Sequence, residues 1–370
     1  MAAMVSSTLP ATHTAVKVVG SNHLVVTKDA AMPVFDKSEV LVRVACISIN
    51  PVDAKSVDMS PTPGATVGTD FSGVVVALGS DVDAEQWHIT DRVMGGIFGN
   101  NPLRHDNGAF AEYLAVPAKL LWHIPADMDF TTAASLPTAL ATIGMSLFQY
   151  LQIPMPDISG PLQPGSKEEN HGAKFVLVYG GGTASGAMAI QVLRLLGLNP
   201  ITTCSATSAA RSRELGASAT FDYSSPDCGT EILEHTAGSL TLALDCISNM
   251  ASMETCYKAL GPAGGRYLAL DPFPIRGHTR RSVEPDWICA YTQFGHAIPW
   301  APPFDLDARL DDREGAETWY PLAQVLLNKG LLVPQPLELR PGGLDAIGEA
   351  MYQVRKGQIK GKKLVVQLSY

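Results

Sequence analysis

The chain has 370 residues, of which 46% are hydrophobic and 17% are charged, and its formal net charge is −9. This length exceeds what one hydrophobic core usually serves, so we expect two domains with separate cores. Acidic and basic side chains are mixed along the chain, which argues against nucleic acid and against an anionic membrane surface as partners. No apolar run reaches the roughly 20 residues that span a bilayer, and the N-terminus lacks the pattern of a secretory signal. We therefore expect a cytoplasmic protein.

The cysteines are widely spaced, and no two of them form the C-x-x-C pairs that zinc ribbons use. Cysteine packs readily in protein interiors, so reduced core thiols are expected and no metal site is predicted. The residues are Cys46, Cys204, Cys228, Cys246, Cys256 and Cys289.

The N-terminal part of the chain is typical of short β-strands separated by turns. Residues 40–49 are nearly all apolar and rich in β-branched side chains, as in a buried strand. Residues 66–79 form a second strand region that contains several glycines, and residues 109–125 form a third that ends at a proline. These patterns predict a small β-barrel-like domain.

The pattern becomes helical after Asp129, where apolar residues recur at helical spacing and Thr131 or Thr132 is placed to cap the helix. Residues 154–172 are rich in proline, glycine and charge, which predicts an exposed loop.

A βαβ unit follows the loop. An apolar strand over residues 175–179, a glycine turn, an amphipathic helix over about 185–196 and a second strand over about 200–204 are predicted in that order. Further strands and helices alternate to about residue 270, which indicates a parallel, doubly wound sheet with helices on both faces. The C-terminal strand GKKLVVQLSY has no helix after it, so we expect it to return to the first domain.

The glycine turn runs from Val178 to Gly186, between a buried strand and a helix. Glycines there let the backbone approach a pyrophosphate, whose charge the helix N-terminus then meets. The spacing Gly180, Gly182, Gly186 departs from G-x-G-x-x-G by one residue, and Ser185 occupies the third-glycine slot. We interpret the turn as a dinucleotide site, with a purely structural turn as the alternative.

The end of the second strand carries no Asp or Glu to accept the hydrogen bond of a bare ribose hydroxyl. Hydroxyls at Ser205, Thr207 and Ser208, with Arg211 close behind, suit the 2′-phosphate of NADPH. The alternative is a solvated helix N-terminus where serines cap the helix and the arginine points into water.

Five segments match the medium-chain dehydrogenases/reductases in order, which the chain resembles over nearly its whole length. They are residues 47–55 (ISINPVDAK), 68–73 (GTDFSG), 91–95 (DRVMG), 108–118 (GAFAEYLAVPA) and 136–144 (LPTALATIG). The resemblance implies an α/β fold: a GroES-like, mostly-β catalytic domain over residues 1–145 and 310–370, plus a doubly wound Rossmann cofactor domain over 146–309.

The SINPVD string is similar to the quinone oxidoreductase branch of this superfamily. Zinc alcohol dehydrogenases carry a cysteine near the position of Asn50 and a Gly-His-Glu sequence near Gly68. Here Asn50 and Gly68, Thr69 and Asp70 stand at those positions. Cys46 lies four positions early and has no His or Cys partner nearby. The resemblance therefore implies a zinc-independent reductase.

Within the branch, residues 176–197, 201–205, 214–227 and the closing GKKLVV most resemble fungal trans-acting enoyl reductases. Those proteins serve highly reducing polyketide synthases, or hybrids of these with peptide synthetases. The resemblance implies reduction of the α,β-unsaturated thioester of a growing polyketide on a partner synthase, with NADPH as hydride source, in secondary-metabolite biosynthesis.

The resemblance also implies which residues bind each ligand. The NADPH contacts would be Val52, Asp53, Ala54, Lys55, Gly182, Thr183, Ala184, Ser185, Ser205, Ala206, Thr207, Ser208, Tyr223, Leu270, Asp271, Ile359, Lys360 and Gly361. The acyl-chain contacts would be Thr138, Ala139, Leu140, Ala141, Thr142, Ile143, Gly144, Met145, Tyr291, Thr292, Gln293, Phe294 and Gly295.

Reduction of an enoyl thioester needs a donor for the developing oxyanion and a proton for the α-carbon. Lys55 is the catalytic candidate for one or both tasks, and its alternative is a solvated surface lysine. Thr138 either donates to the thioester carbonyl or packs at a helix start. Asp70 is expected to fix a turn.

The densest basic cluster consists of Arg276, Arg280 and Arg281. It is a candidate receptor for a phosphopantetheine arm or an acidic carrier domain, and its alternative is a solvated loop.

Two other functions remain open at this point. One is a stand-alone NADPH-dependent quinone or enone reductase, and the other is a cofactor-bound, non-reducing cyclising or binding partner. Residues 301–315 are polar and broken by prolines, which favours a monomer.

Overall fold

The computed structural model describes residues 9–156 and 174–368. Most of the loop expected at 154–172 therefore lies outside the described residues. The described residues form two large sheets, one built from both ends of the chain and one from its middle. Within these residues, no helix is long and apolar enough to cross a membrane.

The first sheet has seven strands: β3 (Glu39–Ser48), β4 (Asp70–Leu78), β5 (Arg92–Gly96), β6 (Tyr113–Pro117), β7 (Leu121–His123), β16 (Leu337–Arg340) and β17 (Lys363–Gln367). Their order in the sheet is β16-β17-β3-β4-β5-β7, with β6 paired to β3. The C-terminal strand β17 is antiparallel to β3, with Val366 opposite Ile47. This pairing shows that the chain returns to its first domain.

Hairpins and helices complete this part of the molecule. The hairpins are β1 (Thr12–Gly20) with β2 (His23–Ala31), and β14 (Ile298–Pro299) with β15 (Asp305–Leu306). The helices are α1 (Pro51–Met59), α2 (Phe130–Ala134), α3 (Pro137–Gly144), α8 (Leu310–Asn328) and α9 (Ile347–Arg355), with a π-helix over Met145–Tyr150. Single 3₁₀ turns cover Ala118–Leu120 and Gly343–Ala346, and two more, Ile275–Gly277 and Ala290–Phe294, lie in the middle part of the chain.

The second sheet has six parallel strands in the order β10-β9-β8-β11-β12-β13. The strands are β8 (Phe175–Tyr179), β9 (Asn199–Cys204), β10 (Ala219–Asp222), β11 (Leu242–Asp245), β12 (Gly265–Ala269) and β13 (Val283–Trp287), and the helices are α4 (Ala184–Leu195), α5 (Ala206–Glu214), α6 (Cys228–His235) and α7 (Met250–Ala259). Numbered within the sheet, the order is 3-2-1-4-5-6, that of dinucleotide-binding folds. The strand order changes direction at β8, where the glycine turn lies.

Both faces of this sheet are covered, as the apolar strand β8 predicted. Val176 and Val178 belong to a core that includes α4, whereas Leu177 and Tyr179 belong to a second core that includes α6 and α7. The alternation follows from the two-residue period of a strand.

The helical segment after Asp129 differs from the expected single helix. Two α-helices and the π-helix follow one another, because Pro137 lacks the N–H of a helix interior and opens a new helix. The N-cap is Asp129, whose carboxylate accepts from the N–H of Thr132 at 2.7 Å, so the expectation of a Thr131 or Thr132 cap was wrong.

The expected strand over 109–125 is also two strands, β6 and β7, separated by the 3₁₀ turn Ala118–Leu120. The turn lets β6 pair with β3 while β7 pairs with β5. All six cysteines are unpaired and either buried or half-buried, as predicted for core thiols.

Candidate active site

The glycine turn between β8 and α4 is built for close backbone contact. Gly180 has a φ of +93°, a conformation that favours glycine. A Cβ on Gly186 would lie 2.3 Å from the carbonyl oxygen of Gly180, so helix and turn pack here only without a side chain. The packing role of the third glycine therefore belongs to Gly186, one residue after Ser185. The Thr183 hydroxyl accepts from the N–H of Gly186 at 3.0 Å and caps the helix.

Gln335, from the C-terminal part of the chain, contacts the same turn. Its Nε2 donates to the carbonyl oxygens of Gly182 at 3.3 Å and Thr183 at 3.0 Å. Val333 is fixed beside it by two hydrogen bonds with Gln191 of α4. Gln335 Oε1 is buried and lacks a hydrogen-bond partner among the described residues. Sequence reasoning missed this residue because a glutamine between two prolines matches no motif.

Three hydroxyl side chains cluster where β9 ends. The Ser205 hydroxyl lies 2.9 Å from that of Thr207 and donates to Ser208 at 3.2 Å. Ser208 faces the glycine turn, because a Cβ on Gly182 would lie 3.0 Å from its Oγ. Ala206 is the first residue of α5. The fold thus gathers the hydroxyls that we expected to hold a 2′-phosphate.

Arg211 and Tyr223 lie at the border of this cluster. Arg211 Nη2 donates to the carbonyl oxygen of Pro334 at 2.8 Å, so the alternative in which this arginine points into water was wrong. Tyr223 directly follows β10 and is 52% exposed. Its side chain is accessible at the carboxyl edge of the sheet, where ligands of such folds bind.

Asp245 organises the carboxyl ends of β11 and β12. Its buried carboxylate accepts from the N–H groups of Ile247 and Ser248, each at 2.9 Å. The Ser248 hydroxyl in turn accepts from the N–H groups of Leu270 at 3.0 Å and Asp271 at 3.2 Å. Burial raises the pKa of Asp245. This network positions two expected cofactor contacts, and sequence reasoning missed it because Asp245 resembles an ordinary strand end.

Lys55 of α1 contacts Asp271, which lies just after β12 of the second sheet. The ammonium donates to the carboxylate, with the side chains 49% and 33% exposed. Lys55 therefore has a fixed partner, in contrast to the alternative of a free, solvated head.

Asp70 joins side chains from four elements, and the expectation that it fixes a turn was wrong. It begins β4, is fully buried, and accepts from the N–H of Thr138 at 2.8 Å and from its hydroxyl at 2.5 Å. It also accepts from Asn50 Nδ2 at 2.9 Å, Ser48 Oγ at 3.1 Å and Lys363 Nζ at 3.2 Å. The Thr138 hydroxyl is thus engaged by Asp70, and Thr138 stands in the first turn of α3.

The cluster around Asp70 does not fit a zinc ion. Lys363 is buried, and its ammonium contacts both Asp70 and Asn50. A cation of the protein thus lies beside the residues that replace the zinc ligands of the alcohol dehydrogenases, and it would repel a metal ion. Within residues 9–156 and 174–368, no three His, Cys, Asp or Glu side chains are arranged to hold a metal.

Asp53, Thr69 and Tyr291 form a buried chain of hydrogen bonds. Asp53 Oδ2 accepts from the N–H of Asn50 at 2.7 Å, and Asp53 Oδ1 accepts from the Thr69 hydroxyl, also at 2.7 Å. The Thr69 hydroxyl lies 2.6 Å from the Tyr291 hydroxyl. Burial raises the pKa of Asp53 from 3.8 to about 7, and the nearby charge of Asp70 reinforces the shift.

The two expected acyl-binding segments lie together, but much of the first belongs to the core. Ala139, Leu140, Ala141, Thr142, Ile143, Gly144 and Met145 are buried, and Thr138 is half-buried. The indole of Trp319 packs on Gly144 and donates to the carbonyl oxygen of Leu140 at 2.9 Å. The Thr292 hydroxyl oxygen lies 3.9 Å from the Met145 sulfur, which connects the second segment to the first.

Helix α8 fixes the second acyl-binding segment, residues 291–295, through hydrogen bonds. The Tyr320 hydroxyl donates to Gln293 Oε1 at 2.9 Å, and Thr292 donates to the buried carboxylate of Asp312. Phe294 is 7% exposed, and Gly295 ends the 3₁₀ turn with a φ of +71°.

Two segments of the chain match known domain families. Residues 36–126 match the alcohol dehydrogenase GroES-like domain, and residues 184–269 match the zinc-binding dehydrogenase domain. The chain is 61% identical to trans-enoyl reductase iccB of Talaromyces variabilis, with 98% of each chain covered. The trans-enoyl reductase iliB of Neonectria sp. (strain DH2) is 60% identical, with 98% of this chain and 97% of that protein covered.

The chain belongs to the trans-enoyl reductase family, within the medium-chain dehydrogenases/reductases. A solved structure of an alcohol dehydrogenase superfamily protein from Novosphingobium aromaticivorans superposes with a TM-score of 0.75. It is 24% identical and covers 97% of this chain and 100% of its own, which supports the fold. The chain is an oxidoreductase of this family, and its Rossmann-type domain implies a nicotinamide cofactor.

The residues of the enzyme fit such a cofactor. Gly180 has a positive φ, Gly186 leaves no room for a side chain, and helix α4 begins at the turn, while the buried Gln335 Oε1 beside it has no hydrogen-bond partner among the described residues. A pyrophosphate needs the close backbone approach and the helix N-terminus, and a ribose hydroxyl can donate to the Gln335 acceptor.

The last expected cofactor segment lies beside α1 in the enzyme. Ile359 is half-buried, Lys360 and Gly361 are exposed, and they precede β17. Two hydrogen bonds from Arg355 to the Asp58 carboxylate, at 2.7 and 2.8 Å, hold α9 against α1. The fold therefore brings this segment near α1, where Val52 is half-buried and Ala54 is buried.

The arginine cluster is not a free basic patch in the enzyme. Arg280 donates to the carbonyl oxygens of Tyr257 at 2.7 Å, Leu260 at 2.8 Å and Gly261 at 2.6 Å. It thus satisfies carbonyls at the C-terminus of α7, so Arg280 is not available as a receptor for a phosphopantetheine arm or a carrier domain. Arg276 and Arg281 are exposed.

Proposed function

We propose that the enzyme reduces the α,β-unsaturated thioester of a growing polyketide, with NADPH as reductant, while the acyl chain stays on a partner synthase. The partner would be a polyketide synthase or a polyketide synthase–peptide synthetase hybrid of secondary metabolism. The observation that carries the proposal is the Lys55 to Asp271 contact. It joins the nucleotide domain to helix α1, which also carries Asp53, in a chain 61% identical to a trans-enoyl reductase over 98% of its length.

The choice of NADPH rests on the end of β9. Ser205, Thr207 and Ser208 present hydroxyls beside the glycine turn, and residues 199–213 contain no Asp or Glu. A carboxylate there would repel a 2′-phosphate, whereas hydroxyls donate to it.

Each group of the site has a task in this reaction. NADPH supplies the hydride for the β-carbon of the substrate when it is bound. The glycine turn and the N-terminus of α4 would hold the pyrophosphate, and Asp245 positions Leu270 and Asp271 through Ser248. Lys55 would leave Asp271 and donate to the thioester oxygen as negative charge develops there, the catalytic role expected of it.

The site has no place for zinc in this proposal. The Lys363 ammonium lies 3.2 Å from Asp70, where it supplies the positive charge that balances the buried carboxylate. We therefore propose that the reaction is zinc-independent.

A monomer is the proposed state of the free enzyme. The outer strand β13 has the sequence VEPDW, in which Pro285 lacks an N–H and Glu284 is exposed. Proline and charge on an edge strand disfavour pairing with a second sheet. We also propose a cytoplasmic location, with neither nucleic acid nor a membrane as a partner. The net charge of −9 disfavours binding to either of them.

The test compares two acceptors and a blank in one assay of NADPH oxidation by absorbance. An enoyl pantetheine thioester, a free quinone and a blank are each mixed with the enzyme and NADPH. Turnover of the thioester alone is the expected result. Turnover of the quinone alone would replace the proposal with a stand-alone quinone reductase, and NADPH binding without turnover would indicate a non-reducing partner.

A further inference from the structure

The reduced thioester still needs a proton at its α-carbon, and two obvious donors are engaged elsewhere. The Thr138 hydroxyl donates its proton to Asp70 at 2.5 Å. Lys55 is paired with Asp271 and is the proposed donor to the thioester oxygen. A different acid is therefore required.

The chain of Asp53, Thr69 and Tyr291 has the properties of such an acid. Its members come from α1, the segment before β4 and the 3₁₀ turn over 290–294, and all three side chains are buried. Each oxygen lies within 2.7 Å of the next. Tyr291 is fixed by stacking on Phe98 at 4.6 Å and by an edge contact with Trp300 at 5.4 Å between ring centroids. The chain thus joins a carboxyl group to the expected acyl-binding segment.

The protonation state of Asp53 sets the direction of these hydrogen bonds. Asp53 Oδ2 accepts from the N–H of Asn50, so a proton on Asp53 would reside on Oδ1 and be donated to Thr69. Thr69 would then donate to Tyr291, leaving the phenolic O–H free to donate outward. When Asp53 is ionised, both hydroxyls turn toward the carboxylate, and Tyr291 has no proton to offer outside the chain.

We propose that Tyr291 donates the proton to the α-carbon of the reduced thioester and that Asp53 resupplies it through Thr69. This inference deepens the proposed function and rests on it.

The atoms balance in one concerted shift. A C–H bond forms at the α-carbon as the O–H bond of Tyr291 breaks. Tyr291 takes the Thr69 proton, Thr69 takes the proton of the Asp53 carboxyl, and Asp53 is left as a carboxylate. The electron pair of the new C–H bond is that of the enolate, and Asp53 regains a proton from solvent between turnovers.

The surrounding charges are consistent with a carboxyl that changes state near neutral pH. The pKa of Asp53 is raised to about 7: burial and the charge of Asp70 raise it, and the hydrogen bonds from Asn50 and Thr69 and the charge of Lys363 partly offset them. The pKa of Tyr291 is raised by burial and by the charges of Asp53, Cys289 and Asp70, so its phenol stays neutral. Tyr291 is then a relay whose proton comes from Asp53.

The test uses full-length variants and a crotonyl pantetheine thioester. Tyr291→Phe and Thr69→Val should lower kcat by about 100-fold or more, the usual contribution of a general acid, while KM and NADPH affinity stay near wild type. Thr69→Ser retains the hydroxyl and should restore most of the rate. Tyr257→Phe is the matched control, since among the described residues the hydroxyl of Tyr257 hydrogen-bonds only to His278 of the nucleotide domain, and this variant should be unimpaired.

The pH profile separates a relay from a structural role. Wild-type kcat should fall as pH rises through the Asp53 pKa near 7. In Thr69→Val and Asp53→Asn, kcat should be low at every pH and should not show this fall. A Tyr291→Phe variant with wild-type kcat, or an unchanged pH step in Thr69→Val, would overturn the inference while leaving the proposed function intact. Absence of wild-type thioester reduction would overturn the proposed function and the proton transfer with it.

Infrared spectroscopy supplies a readout besides activity. A protonated-carboxyl band that is absent from Asp53→Asn, shifts in frequency in Thr69→Val and disappears as pH rises through about 7 is expected. An ionised Asp53 at acid pH would overturn the inference.

Discussion

Lys55 and Asp271 form an ion pair that links the catalytic and nucleotide domains, although 216 positions separate them in the chain. Both residues were expected to contact the cofactor, and each side chain is partly exposed. The pair can therefore open without disturbing either core.

The first prediction concerns this pair. Lys55→Ala should lower kcat/KM for an enoyl thioester by about 100-fold, because the developing oxyanion loses its charged donor. The melting temperature should barely change, since an exposed pair contributes about 0 to 1 kcal/mol to stability. Asp271→Asn is the comparison variant and should retain more activity than Lys55→Ala, because it leaves the ammonium in place. Equal losses in both variants would mean that the pair itself, and not the ammonium, is required.

The second prediction concerns the glycine turn. Gly186→Ala places a Cβ 2.3 Å from the carbonyl oxygen of Gly180, so the turn must shift and NADPH affinity should fall by about 10-fold or more. Gly348→Ala is the control, because a Cβ there would meet nothing within 4 Å in helix α9. Fluorescence titration with NADPH measures both, and an unchanged Kd in Gly186→Ala would contradict the assigned turn.

The third prediction concerns the choice between NADPH and NADH. Ser208→Asp puts a carboxylate beside the hydroxyl cluster at the end of β9, so Kd for NADPH should rise by about 10-fold or more through repulsion of the 2′-phosphate. NADH affinity should change much less. Ser208→Ala controls for loss of the hydroxyl alone. Equal weakening for both nucleotides would show that Ser208 does not distinguish them.

The fourth prediction concerns the buried pair of Asp70 and Lys363. Lys363→Met leaves an uncompensated carboxylate and should lower the free energy of unfolding by about 3 to 5 kcal/mol. The neighbouring Lys362→Met removes a half-exposed lysine whose Nζ lies 3.6 Å from Glu338, and it should cost less than about 1 kcal/mol. Urea denaturation measures both. Similar values for the two variants would contradict the role given to Lys363.

The fifth prediction concerns pH and stability. The folded-state pKa of Asp53 is raised from 3.8 to about 7, so its contribution to stability is fully present below the unfolded value. That contribution is lost as pH rises through about 7, because the buried carboxyl must then ionise. Wild type should therefore lose stability relative to Asp53→Asn between these two pH values. Parallel denaturation midpoints for the two proteins over this range would contradict the raised pKa.

Local pattern was sufficient for much of the fold. The apolar run of β8, the glycines after it and the alternation of strands and helices predicted the parallel sheet. These features depend on neighbours in sequence, because strand periodicity, turn geometry and helix capping act over a few residues. Two single residues changed the outcome after Asp129: Pro137 interrupts the helical periodicity because it lacks an N–H, and the Asp129 side chain caps the helix in place of a threonine.

The active site depends on contacts that local pattern does not contain. Asp70 and Lys363 lie 293 positions apart, and Thr69 and Tyr291 lie 222 apart. A hydrogen bond requires its two atoms within about 3 Å, so only the packing of distant elements decides which donor meets which acceptor. The same packing desolvates Asp53 and raises its pKa, which no property of its sequence neighbours would reveal. The sequence by itself thus determined the two domains and the position of the glycine turn, whereas the tertiary structure decided the partners and charge states of the side chains between them.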